Sequence, residues 1–182
     1  MVASAVSVFG GIDLTPTSST YKLEGIKFPE ILFHDGKKTI SYDPPFGWTY
    51  SGTSTRCTLQ PPGKVQAQAS IELASSPQAR AFDEERIRQL KASVATLLPA
   101  GAESVEITSA ERDPLQINGS STFELTIAYM FYGQGFKMSV LFLDLEDSEL
   151  RFRLQSQSSD FQELQKAFRR SLFSWQWLPV GG

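Results

Sequence analysis

A chain of 182 residues with 41% apolar and 20% charged side chains can bury about 70% of its unfolded surface in one core, so no disulfide or metal is needed to hold it together. A formal charge of −3 offers no basic field for a phosphate backbone and argues against a nucleic-acid partner. One cysteine, Cys57, and one histidine, His34, exclude an intrachain disulfide and leave a structural zinc site short of ligands.

Residues 1–20, MVASAVSVFGGIDLTPTSST, carry Gly, Ser, Thr and Pro without apolar periodicity and are expected to form a flexible tail. They hold an Ala3-Ser4-Ala5 triplet but lack the basic segment and full apolar stretch of a signal peptide. The start therefore reads either as the remnant of one or as a plain terminus. No run in the chain approaches the roughly 18 apolar residues of a membrane-spanning helix. Residues 21–38 are expected to form an N-terminal arm or edge hairpin, with Ile26, Phe28 and Ile31 to Phe33 apolar and a turn at His34-Asp35-Gly36-Lys37. A short strand follows through Ile40 and Tyr42.

Next comes YDPPFGWTYSG, residues 42–52, in which two prolines, two glycines and four aromatic rings crowd together. It reads as a structural corner or as an aromatic ligand platform. The corner is preferred, because proline's fixed φ and glycine's freedom both favour a turn into a strand with Trp48 filling the space beneath it. Two strands joined at Pro61-Pro62-Gly63 should follow. In the second, Val65, Ala67, Ala69, Ile71 and Leu73 alternate with Gln66, Gln68, Ser70 and Glu72.

DEERIRQLKASVATLLP opens with three carboxylates, places Ile87, Leu90, Val94, Leu97 and Leu98 on one helical stripe and stops at Pro99. The pattern predicts an amphipathic helix. Strands near 104–110, 121–132, 136–145 and 149–155 are expected beyond it, with turns at Asn118-Gly119, Gly133-Gln134-Gly135 and Glu146-Asp147-Ser148. Alternation of Leu150, Phe152 and Leu154 with Glu149, Arg151 and Arg153, and of Phe123, Leu125 and Ile127 with Thr122, Glu124 and Thr126, predicts a sheet with one apolar and one polar face. A closing helix begins with the capping-box spacing Ser159 to Gln162 and carries Phe161, Leu164, Phe168, Leu172 and Trp175 at helical intervals. Lys166, Arg169 and Arg170 fall off that stripe.

This order of elements, with PPFGWTY at 44–50, INGSSTFELTIAYMFYGQGFKMSVLFL at 117–143 and FQELQKAFRRSLFSWQW at 161–177, resembles the PsbP-like fold. That fold is shared by the PsbP extrinsic subunits of photosystem II, a Ran-binding nuclear import factor and many bacterial proteins. The resemblance covers about residues 39–178. It implies an α+β protein, an α/β/α sandwich with a central, mostly antiparallel sheet of about six strands and two main amphipathic helices. Bacterial relatives are often exported, which favours an exported or periplasmic location. Its motifs are packing signatures and carry no chemistry.

The sequence supplies few parts for catalysis. A His34–Cys57 dyad is the one nucleophile and base pair that can be written, and an inert buried cysteine is the preferred reading. The acidic turn Asp144, Glu146, Asp147, Glu149 could hold calcium weakly but reads as a solvated hairpin tip. Gly133-Gln134-Gly135 lies between strands and reads as a hairpin turn instead of a phosphate loop. Asn118-Gly119-Ser120, formally a glycosylation sequon, needs only the hairpin explanation. No cofactor and no metal site is expected. What remains is the polar sheet face, on which Gln66, Gln68, Ser70, Glu72, Thr122, Glu124, Thr126, Arg151 and Arg153 are expected to lie. Of these, Gln66, Gln68, Glu72, Glu124, Arg151 and Arg153 are the candidate surface for a protein partner. The leading expectation is a noncatalytic accessory domain. The alternative is an exported protein that binds a small ligand or metal near Trp48 and the acidic turn, and an enzyme ranks third.

Overall fold

The computed structural model describes residues 11–36, 38–75, 82–146 and 148–179. In chain order, β1 (Ile12–Leu23), β2 (Ile26–Asp35), β3 (Lys38–Tyr42), β4 (Thr49–Thr53), β5 (Arg56–Gln60) and β6 (Gln68–Ser75) precede helix α1 (Glu84–Ala92) and a 3₁₀ turn (Val94–Leu97). Then come β7 (Glu103–Arg112), β8 (Phe123–Phe131), β9 (Gln134–Asp144), β10 (Ser148–Gln157), α2 (Phe161–Leu172) and β11 (Gln176–Leu178). The fold is α+β, but its strands make two antiparallel sheets where a single sheet of about six strands was expected. One has seven strands, in the order β4-β5-β6-β10-β9-β8-β7, and the other has four, β1-β2-β3-β11.

The second sheet arises from the N-terminal residues. Residues 12–20, expected as tail, form most of β1, which pairs antiparallel with β2 from Ile12↔Asp35 to Leu23↔Ile26. Ile12 and Leu14 are buried, whereas the rest of β1 is exposed or half-exposed. A strand that touches the core at two positions shows almost no alternation, which is why composition alone reads it as tail. Residues 1–10 of that segment lie outside the described residues, as does Lys37 of the expected turn. The hairpin is not a separate arm, because β2 pairs with β3 and β3 with β11, the chain's C-terminal strand. β1 also crosses the seven-stranded sheet at its β4 edge, where Leu14 N–H donates to Ser54 O at 2.9 Å. Gly52 allows this approach, since a Cβ there would meet Arg56 O at 2.7 Å and Pro16 Cδ at 3.0 Å.

Alternation along β10 sets the two faces of the large sheet. Leu150, Phe152 and Leu154 point inward beside Leu73, Ile71 and Ala69 of β6 and, for the first two, Leu143 and Leu141 of β9. They share one core with Phe161, Leu164, Phe168 and Leu172 of α2 and with Ile31, Phe33 and Ile40 of the small sheet. Helix α2 and the small sheet thus cover this face. Fully burying each such side chain contributes about 1.5–3 kcal/mol. On the other face, Phe123, Leu125, Ile127, Met138, Val140 and Phe142 of β8 and β9 meet Leu90, Val94 and Leu97. Helix α1 and its 3₁₀ turn cover only that half.

Both helix ends depart in detail from expectation. The Asp83 side chain accepts from Arg86 N at 2.8 Å and caps α1. The helix stops at Ala92 because the Ser93 hydroxyl donates back to Leu90 O at 3.0 Å, and the chain tightens into the 3₁₀ turn. At α2 the Ser159–Gln162 capping box does not form. Asp160 is the N-cap, and its carboxylate makes no cap bond but accepts from Lys64 Nζ at 2.8 Å.

Candidate functional site

The aromatic corner is structural. Trp48 N–H donates to Pro45 O at 3.1 Å, Gly47 turns the chain at φ 77°, and Trp48 lies buried in parallel stacking on Phe168 of α2, with centroids 6.3 Å apart. Tyr42 is fully buried and its hydroxyl is hydrogen-bonded with Ser171 Oγ at 2.8 Å. Desolvation by this burial pushes the Tyr42 phenol above its ordinary range. Trp48 therefore belongs to the core and offers no open cleft for a ligand.

Four of the candidate partner residues meet on one face. Register pairs Glu72 with Arg151 and Gln68 with Gln155 across β6 and β10, and Arg56 with Glu72 across β5 and β6. These side chains, with Ser70 and Arg153, lie on the half of the sheet beside α1 and its 3₁₀ turn, where Ser70 is buried, Gln68, Glu72, Arg151, Arg153 and Gln155 are half-buried and Arg56 is exposed. Glu72 is the hub. It accepts two bonds from Arg153 Nη1 at 3.2 Å, one from Ser70 Oγ at 2.7 Å, and an ion pair from Arg56 at 3.4 Å. Arg153 also donates to Leu97 O at 2.5 Å, so the 3₁₀ turn is pinned to the network. At the far end Arg151 Nε donates to Glu149 at 2.6 Å and lies over the Phe142 ring at 6.0 Å.

Two candidates do not share this face. Glu124 faces the other way, opposite Leu141 of β9 and Glu111 of β7, and is buried under α2. There it pairs with Arg169 and accepts from Gln165 Nε2 at 3.3 Å. Thr126 shares its orientation, being paired with Ser139. Thr122 precedes β8 and is buried, with its hydroxyl donating to Leu115 O. The reason is register: polar positions of β8 align with apolar positions of β10, so the apolar and polar faces exchange between the two halves of the sheet. Gln66 lies in the exposed turn before β6, off the strand.

The catalytic and metal candidates disperse. His34 is exposed on the small sheet, while Cys57 is buried in the core on the large one. Burial alone pushes the Cys57 thiol up to about 12. Its raised folded-state value means that stability is full below the ordinary thiol value of about 8.5 and is lost as pH rises toward 12. We expect DTNB to leave Cys57 unmodified in the folded protein at pH 8 and to react on unfolding, and Cys57→Ala to flatten the alkaline loss of stability. Prompt labelling of the folded chain would contradict this placement. In the acidic turn, Glu149 is buried and held by Arg86 and Arg151, and Asp144 lies 3.7 Å from Arg86. Guanidinium groups occupy the place a cation would take. Asp147 lies outside the described residues. Tyr132 and Gly133 form the turn between β8 and β9, and Asn118 and Gly119 form one closed by the Ile117↔Ser120 bridge.

Beside the polar half of the face, the structure places a cleft of about 350 Å³ that sequence reading missed. Tyr129, Phe131, Tyr132 and Phe136 line one side, and Gln66, Gln68, Gln134 and Gln155 line much of the rest. The signal was present in YMFYGQGF, residues 129–136, with four rings in eight residues. It was absorbed by the hairpin reading.

No protein-family model matches the chain, and no curated protein matches it by sequence. Solved structures match its fold. A Pseudomonas aeruginosa protein of unknown function is 13% identical, with 91% of this chain and 99% of that one covered at a TM-score of 0.53. LpqN, involved in cell envelope biogenesis of Mycobacterium tuberculosis, is 14% identical over 92% of each chain, also at 0.53. Cyanobacterial PsbP of Synechocystis is 10% identical over 97% of this chain and 98% of that one, at 0.52. The fold is therefore PsbP-like.

Proposed function

We propose that this protein is a noncatalytic binding or accessory domain that acts through a protein partner docked on the polar half of the large sheet. The observation that carries the reading is the half-exposed group of Arg56, Glu72 and Arg153, ion-paired across adjacent strands, with Arg151 beside it held by Glu149. Its charges are oriented by cross-strand pairing before any partner arrives, so little ordering entropy is lost on association. Interleaved signs of charge confer specificity and orientation more than raw affinity. The separation of His34 from Cys57 supports a noncatalytic role. The involvement of LpqN in cell envelope biogenesis supports an exported location.

The test is site-directed photo-cross-linking in the source cells. A benzophenone side chain at Thr58, which shares this face, is expected to give a discrete adduct that Arg153→Glu abolishes. The same probe at Lys166, on α2 across the molecule, should give none. Equal adducts from both positions, or none from Thr58, would count against the reading.

A further inference from the structure

The cleft beside the polar face shares Gln66 and Gln68 with the candidate partner surface, but its rings and its other glutamines have no part in the partner reading. Among the described residues, the twelve that line it are five glutamines, four aromatic residues, a proline, a valine and an alanine, with no charged side chain. A phosphate, carboxylate or ammonium ligand would find no counter-charge among them. Gln68 and Gln155 face each other across β6 and β10, are half-buried, and have side-chain amides that bond to no other described residue. Each amide presents two donors and an acceptor side by side. A ligand that satisfies both must itself donate and accept at neighbouring atoms.

A second observation is independent of the lining. Tyr132 sits at the first position of the β8–β9 turn with φ 46°, followed by Gly133 at φ 72°. A turn with two positive φ values favours Asn or Asp followed by Gly, and a bulky ring there is strained. Burial does not offset the strain, because Tyr132 is 89% exposed. Its ring stands at the rim of the cleft, tilted against Phe131 with centroids 4.4 Å apart. Strain that persists at so exposed a ring, whose packing on Phe131 leaves most of its surface open, points to use by a ligand.

We infer that this cleft is a carbohydrate site, taking an uncharged pyranose whose apolar C–H face lies on the Tyr132 ring and whose vicinal hydroxyls pair with the amides of Gln68 and Gln155. Vicinal hydroxyls donate and accept at adjacent oxygens, matching the amides. An unbroken run of prolines, the other ligand suited to an aromatic groove, offers carbonyl acceptors alone and leaves the amide oxygens unserved. The volume of about 350 Å³ falls within the range of small-molecule pockets.

The experiment is an NMR titration of the full chain with maltotriose, cellotriose, mannotriose, galactotriose and triacetylchitotriose at millimolar concentration. The signals read are the side-chain NH₂ groups of Gln68 and Gln155. At least one sugar is expected to shift both. Tyr132→Asn should weaken that sugar at least about tenfold while raising the unfolding midpoint by a few degrees, because asparagine suits the turn. Gln155→Leu should weaken it similarly. A panel that shifts neither amide overturns the inference, as does a Tyr132→Asn variant that binds as the parent does. If polyproline shifts both amides and no sugar does, the cleft is a peptide groove and the inference fails. The cross-linking at Thr58 is read separately, so either result can stand without the other.

Discussion

Arg169→Met lowers the thermal unfolding midpoint by roughly 6–12 °C. Glu124 is the reason. It is 3% exposed and lies between the large sheet and α2, where Arg169 is its ion-pair partner. Arg169 also reaches Glu111 of β7 at 3.5 Å, tying the helix to the sheet edge. Removing the guanidinium leaves a carboxylate out of water without a counter-charge, a change that costs about 3–5 kcal/mol when a buried pair is broken from one side. The lower end applies because the Arg169 side chain keeps 32% exposure, so water can reach part of the vacated space. At 2–4 °C per kcal/mol for a chain of this size, about 3 kcal/mol gives the stated shift. Replacing both partners removes the stranded charge, so Arg169→Met with Glu124→Met should recover most of the loss. Circular dichroism melts of the two single variants and the double variant form the cycle. An Arg169→Met midpoint within a degree or two of the parent would show that Glu124 is not desolvated as the structure places it.

That pair also marks the limit of what periodicity could reveal. Alternation along β8 and β10 was read correctly strand by strand, yet Glu124 and Arg151 were assigned to one face. Alternation fixes which residues of a strand go together but not which face they take relative to a strand two places away. In this sheet α1 covers one half and α2 and the small sheet cover the opposite side, so the polar side changes between β8 and β10. That Glu72 and Arg151 share a polar face was legible because β6 and β10 each alternate cleanly, but their pairing across β6 and β10 was not. β1 was not legible, since two buried residues in twelve leave no period to detect. The cleft was missed for another reason. Its rings and amides come from β5, β6, β8, β9 and β10 and from the β5–β6 and β8–β9 turns, and no local spacing joins them.

Trp175, the last residue of the helical stripe read from the sequence, lies beyond the end of α2, and its place there leads to the other large effect. Trp175→Ala should lower stability by about 3–5 kcal/mol, a fall in midpoint of roughly 6–20 °C. Trp175 follows α2, is 2% exposed, and meets rings from three directions. Phe33 and Tyr42 of the small sheet lie at 5.5 and 5.8 Å, Phe152 of the large sheet stands edge-on at 5.2 Å, and Trp177 of β11 lies at 6.1 Å. One side chain thus joins both sheets, and truncation would open a cavity that two rigid sheets cannot collapse to fill. The indole N–H has no hydrogen-bond partner among the described residues, so Trp175 contributes through its ring and bears the cost of an unsatisfied donor. Trp175→Phe is therefore expected to lose only about 1–2 kcal/mol, because shedding that donor offsets part of the lost volume. Urea unfolding followed by far-ultraviolet circular dichroism separates the cases, since the three tryptophans make fluorescence ambiguous once one is replaced. Equal losses for Trp175→Ala and Trp175→Phe would mean that an acceptor for the indole N–H dominates at this site, contrary to the ring packing that links the two sheets.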